Sequence, residues 1–139
     1  MDIEQDRLES KIRFIKENLK KLRSFQEISE EEFVADHRNY DAAKYNLQVS
    51  IEALIDISNH IISRENLGVP DTNADSFKIL AENGIISKDK LTTFTAMARF
   101  RNKVVHLYDE IDNAEIYRII VENLDDFDYF INQIFDRYF

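Results

Sequence analysis

The sequence predicts an all-α protein, an up-and-down bundle of four long helices plus one short crossing helix. Three observations point there. Glycine occurs twice and proline once in 139 residues, well below the usual several per cent of each. Apolar residues recur at alternating three- and four-residue spacings over long stretches, which is the rhythm of one helical face. Turn-forming residues gather in few places, most clearly in RENLGVPDTN at 64–73. A chain of this length reads as one domain, residues 1–139, able to bury roughly two-thirds of the surface its unfolded form exposes.

The first helix is expected from about residue 3 to 26, with Leu8, Ile12, Ile15, Leu19 and Leu22 as its apolar stripe. Ser29 ahead of Glu30, Glu31 and Glu32 reads as an N-cap with a capping-box glutamate, and the acidic first turn suits the helix dipole. The second helix then runs to about Ser63, because Phe33, His37, Tyr40, Leu47, Ile51, Leu54, Ser58 and Ile61 keep the rhythm without glycine or proline. Gly68 and Pro70 mark the following loop. A short helix from about Ala74 to Glu82 ends at Asn83 and Gly84, where glycine can take the left-handed conformation. Ser87 can cap a fourth helix over 88–106, with Phe94, Met97, Ala98, Val104 and Val105 as apolar contacts. Phe100 lies on another side of it, which implies a second covering surface such as a partner chain. The fifth helix, capped by Asp112 or Asn113, is expected from about Asn113 to Arg137, with Ile116, Ile120, Leu124, Phe127, Ile131, Ile134 and Tyr138 inside.

Cysteine is absent, which excludes disulfides, thiolate metal sites and thiol nucleophiles. The first residues, MDIEQDRLESKIRF, do not resemble a secretory signal, and no run of roughly 18 apolar residues marks a membrane span. A cytoplasmic protein is expected. The net charge of −9 argues against general nucleic-acid binding, since non-specific affinity comes from neutralised phosphates. Yet residues 88–103 hold Lys88, Lys90, Arg99, Arg101 and Lys103 against a single aspartate. This block leads into RNKVVHLY, residues 101–108, the most plausible phosphate-facing surface of the chain.

In that stretch Asn102 and His106 are four apart and share a helical face, whereas Arg101 and His106, five apart, diverge by about 140° on an unbroken helix. They can meet on one group only if the helix ends near His106 or if two chains pool their residues. The polar LYDEIDN that follows supports an ending. Arginine offers a fixed cationic fork for phosphate, and histidine suits proton transfer near neutral pH. Together they suit phosphodiester cleavage, although spacing alone favours a salt-bridged arginine and a core-facing histidine.

Arg101, Asn102, His106 and Tyr108 match the R-N-x-x-x-H-x-Y form of the motif in HepT-type toxins of the HEPN superfamily, small all-helical bacterial proteins. IEALIDISNHIIS at 51–63, GVPDTNADSFKILAENGIIS at 68–87 and VVHLYDEID at 104–112 also resemble segments of that family, so the likeness covers nearly the whole chain. It implies a single HEPN domain, a homodimer in which the Arg and His of both chains line one cleft, and metal-independent cleavage of tRNA or mRNA. In that reading His106 is the general acid/base, Arg101 stabilises charge on the phosphate, and Asn102 orients substrate or the histidine, with Lys103 beside them. A 2′,3′-cyclic phosphate and a 5′-hydroxyl are the implied products. The resemblance also implies that Tyr108 receives AMP from an MntA-type nucleotidyltransferase antitoxin, adding charge and bulk that would exclude RNA; interfacial packing is the plainer role for this tyrosine.

Asp56, Asn59 and His60 form a polar patch on an Ile-rich helix and need partners if buried. Asp56 and Asn59 read either as substrate-positioning groups on the cleft wall or as local packing bonds, and His60 as packing. His37 with Asp41 reads as a helix-surface pair, and Asp125, Asp126 and Asp128 as a solvated face. No Glu-x-x-His or His-Glu-x-x-His pattern suggests a metal, and Gly68 and Gly84 are too isolated for a phosphate loop, so no cofactor is expected. Two other readings stand beside the nuclease: a non-catalytic helical subunit presenting substrate to a nucleotidyltransferase, and a dimeric scaffold.

Overall fold

A computed structural model describes residues 4–139. The chain forms α1 (Gln5–Ser24), α2 (Glu30–Ala35), α3 (His37–Glu65), α4 (Asn73–Glu82), α5 (Leu91–His106), α6 (Asn113–Glu122) and α7 (Leu124–Tyr138), with single 3-10 turns after α1, before α5 and after α5. Every element among the described residues is helical. Among them, no helix is long and apolar enough to cross a membrane.

The four long helical runs and the short crossing helix occur as expected, but two of the runs are broken. The run expected from Ser29 to about Ser63 divides at Asp36, whose backbone is extended (φ −129°, ψ 116°). Ser29 caps the short α2, its hydroxyl accepting from the Glu32 amide at 3.1 Å. Asp36 then caps α3, accepting from the Arg38 amide at 2.9 Å. An aspartate that can bond its own downstream backbone competes with the helical ladder, and here the competition starts a new helix. The fifth run divides at Asn123 (φ −121°, ψ 0°), whose side-chain amide donates to Asp126 at 3.2 Å. The apolar stripe crosses this break in register: Ile116, Ile120, Leu124, Phe127, Ile131, Ile134 and Tyr138 are all buried.

The α1 stripe is buried in full against α3 and α7. Phe77 of α4, Phe94 of α5 and Phe130 of α7 meet with ring centroids 5.4 to 6.1 Å apart, so one aromatic cluster fixes α5 from two sides. Phe100 does not await a second surface. It is buried within its own chain, facing Leu47 and Ile51 of α3 across an apolar cavity of about 330 Å³ that also reaches Ile119 and Phe127. Val105, expected among the apolar contacts, is instead exposed. At the short helix, Thr72 accepts from the Asp75 amide at 3.1 Å, and Gly84 has φ +71°, the left-handed turn the sequence implied.

Candidate active site

α5 keeps its α-helical backbone to His106, and Leu107 leaves it (φ −132°, ψ 44°). The backbone therefore sets Arg101 and His106 about 140° apart around the axis and about 7.5 Å apart along it. Their surroundings differ accordingly. Arg101 is held on α3: its Nε and Nη2 donate to one oxygen of Glu52 at 2.9 and 2.8 Å, and Gln48 donates to the same oxygen at 3.3 Å. Its Nη1 donates to Asn102 Oδ1 at 3.2 Å, and the Asn73 amide at the start of α4 reaches that same oxygen at 3.5 Å. Asn102 thus bonds to the arginine, not to the histidine. His106 is exposed in the last turn of α5, and its ring makes no hydrogen bond to any described residue.

Tyr108 opens the 3-10 turn that follows. Its hydroxyl donates to Asp41 Oδ1 at 2.9 Å, and the Lys44 ammonium lies 4.3 Å from its ring centroid. Partial burial, followed by the Asp41 bond, pushes the phenol above its ordinary range, so it is protonated near neutrality. Lys44 is 5% exposed and forms neither a hydrogen bond nor an ion pair with any described residue; its cation also lies 5.3 Å from the Tyr40 ring centroid.

The other expected site residues divide. Lys103 is half-buried beside Asn102 and pairs with no described carboxylate. Asp56 is joined to Lys11 of α1 at 3.1 Å, and Asn59 accepts from Ser76 of α4 at 2.5 Å. Neither bonds to the 101–108 segment. His60 is buried and accepts from the Glu4 amide at 3.3 Å. The basic block is not one surface, because Lys90 at its start is bonded to Asp126 at 3.1 Å while Arg101 is bonded to Glu52. Of the acidic cluster expected to be a solvated face, Asp125 is exposed as expected while Asp126 and Asp128 are partly buried; Arg23 donates to Asp125 and Asp128.

Sequence reasoning missed Glu52, Asp41 and Lys44. Glu52 lies four and seven positions before Asp56 and Asn59, one turn along the polar stripe that drew attention to those two. Lys44 stands between Tyr40 and Leu47, on the apolar rhythm of the helix where a lysine is out of character. Asp41 was paired with His37 through its four-residue spacing, but its partner is 67 residues away.

The profile of the Ribonuclease HepT-like family matches residues 15–134. The chain belongs to the HepT-like ribonuclease family. It is 36% identical over 103 residues to the mRNA nuclease HepT of Shewanella oneidensis, covering 74% of this chain and 77% of that one. To the tRNA nuclease HepT of Aphanizomenon flos-aquae it is 27% identical over 133 residues, 96% of this chain and 90% of that one. Among solved structures, a tri-AMPylated Shewanella oneidensis HEPN toxin in complex with an MNT antitoxin superposes with a TM-score of 0.88 at 33% identity, covering 98% and 99% of the two chains. A toxin–antitoxin structure with AMP-PNP gives 0.88 at 32% identity over 94% and 98%. These HepT-like relatives share the helical bundle.

Proposed function

We propose that this chain is the toxin of a bacterial toxin–antitoxin pair, a metal-independent endoribonuclease that acts as a homodimer of single-domain subunits in the cytoplasm. One observation carries the reading. His106 sits exposed, with no bond to any described residue, at the end of a packed helix, while Arg101 on the same helix is turned to α3 by Glu52. One helix holds the two about 140° apart, so a second copy supplying the complementary pair completes a cleft. In it one His106 takes the 2′-hydroxyl proton as the 2′-oxygen attacks phosphorus, and the other protonates the departing 5′-oxygen. Arg101 stabilises the charge that gathers on the phosphate, with Asn102 and Lys103 placing the backbone. Asp56 and Asn59, one to two turns further along α3 from Glu52, extend the wall along which RNA lies.

The relatives' complexes with AMP-PNP or an MNT antitoxin support the second half of the proposal. An MntA-type nucleotidyltransferase neutralises the toxin by adding AMP to Tyr108, two residues beyond His106. The bound phosphodiester places negative charge where RNA phosphates must approach.

The test is cleavage of tRNA and mRNA by purified protein in excess chelator, beside His106→Ala and Arg101→Ala. Wild type is expected to cut and leave cyclic phosphate ends. Each variant is expected to lose about two to four orders of magnitude. Intact RNA with wild type, cleavage that needs a metal, or variants as active as wild type would each refute it.

A further inference from the structure

Around Tyr108 the structure gathers two α3 groups that the cleavage chemistry does not use. Asp41 accepts the phenolic hydrogen at 2.9 Å. Lys44, one turn further along α3, points its cation at the same ring from 4.3 Å. The lysine is the unusual member. A charged group nine-tenths buried normally has an ionic or hydrogen-bonding partner, and among the described residues Lys44 has only the faces of Tyr40 and Tyr108. Asp41, three residues before it, is bonded to the tyrosine instead. The arrangement is a carboxylate oxygen on the hydroxyl and, over the same ring, a cation with no ionic partner among the described residues.

We propose that Asp41 and Lys44 make Tyr108 a built nucleotidyl-acceptor site, with Asp41 as the base for the transfer and Lys44 as the binder of the transferred phosphate. This rests on the proposed modification of Tyr108. Because the phenol is protonated near neutrality, a base must take its proton for the oxygen to attack well. The Tyr108 oxygen bonds to the α-phosphorus of ATP, the bond from that phosphorus to the bridging oxygen of pyrophosphate breaks, and pyrophosphate leaves. The hydroxyl proton passes to Asp41 Oδ1. The product phosphodiester keeps one negative charge, and Lys44 pairs with it. The toxin therefore carries part of the machinery for its own inactivation, and the antitoxin supplies the nucleotide and its orientation.

The experiment measures initial rates of AMP incorporation from ATP and Mg²⁺ into the full-length toxin by an MntA-type nucleotidyltransferase, read as intact mass. Wild type, Tyr108→Phe, Asp41→Asn, Asp41→Glu, Lys44→Met and Lys44→Arg are compared, with thermal melts of each. Asp41→Asn is expected to lower the maximal rate about a hundredfold with the KM for ATP unchanged. Its residual rate should climb with pH as tyrosinate forms, and Asp41→Glu should recover part of the loss. Besides Asp41, the groups facing the phenol are Lys44 and Tyr40 of α3 and Asp109 of its own turn, so the Asp41→Glu comparison assigns the pH effect. Lys44→Met is expected to lower the rate ~10-fold, less than the ~10²-fold cost of losing an enclosed donor, and Lys44→Arg to restore it. Adducts on Tyr108→Phe, or none on wild type, overturn the modification reading itself. An adduct confined to Tyr108 with Asp41→Asn and Lys44→Met at the wild-type rate overturns only this inference. So does a slow Asp41→Asn that neither recovers with pH nor is rescued by Asp41→Glu, since that pattern belongs to a structural contact.

Discussion

At the start of α5, Lys90 bonds Asp126 of α7 and lies over the Tyr129 ring, and Phe94, one turn on, is locked between Phe77 and Phe130. At its other end Arg101 is held by Glu52 of α3, His106 makes no bond to a described residue, and Tyr108 hangs on Asp41. Both ends bring basic side chains to carboxylates, yet only the second leaves an imidazole and a buried cation without polar partners among the described residues. The difference teaches that a count of charges along a helix does not say which are available. The cation near the start is held by α7, whereas near the end only Arg101 is held, by Glu52 of α3.

The sharpest way to break this division is to damage each end separately. Phe94→Ala should destabilise the fold by about 3–5 kcal/mol, the usual cost of emptying a buried aromatic site, measured by urea unfolding. At temperatures where the variant is still folded, its cleavage rate should remain close to wild type. A large activity loss in the folded variant would mean that the aromatic cluster also sets the site's geometry.

Glu52→Gln probes the other end. Removing the carboxylate frees the Arg101 charge while loosening its aim. RNA affinity should rise modestly as one nearby negative charge is removed, with the salt slope unchanged because Arg101 already meets phosphate in the wild type. The maximal cleavage rate should fall about tenfold, inside the ~10²-fold that misplacing a catalytic group can cost. A maximal rate equal to wild type would show that Glu52 does not aim Arg101.

Much of this was legible in sequence. Every apolar position that the first helix stripe and the last helix stripe nominated is buried, because a three-and-four rhythm reports burial whatever the backbone does locally. For the same reason it could not reveal the break at Asn123, where the stripe continues in register; at Asp36 the stripe itself lapses, since His37 just past the break is exposed. The motif's own residues were visible, as was the helix ending at His106. Their partners were not. Asp41, Lys44 and Glu52 lie 49 to 67 residues from the groups they serve, and no spacing rule reaches that far; only the packing of α5 and its following turn on α3 brings them together.

A third test uses pH at the contact between α7 and the end of α3. The buried Tyr138 donates its hydroxyl to Glu65, and burial first, then this carboxylate, raise its pKa. The folded phenol stays protonated where an unfolded one, near 10, begins to ionise. That contribution is complete below about pH 10 and is lost as pH rises toward the folded value. Tyr138→Phe should cost about 1 kcal/mol at neutral pH, the worth of one hydrogen bond. Between pH 10 and 11.5 it should lose stability less steeply than wild type. Parallel slopes in urea titrations would mean that the phenol is not held protonated by the fold.

The smallest effects should come from the paired comparison of Lys90→Met with Lys103→Met, which removes one positive charge from each end. Lys90 sits in a partly exposed pair with Asp126, so its loss should cost under ~1 kcal/mol of stability and leave RNA binding and its salt dependence unchanged. Lys103 has no carboxylate partner among the described residues, so its loss should leave stability unchanged while lowering the salt slope by ~0.7. The two variants carry the same net charge, so a general electrostatic effect predicts equal slopes. Equal slopes would erase the distinction between the ends of α5; unequal ones, with only Lys103→Met flattened, would place the phosphate contact at the motif end.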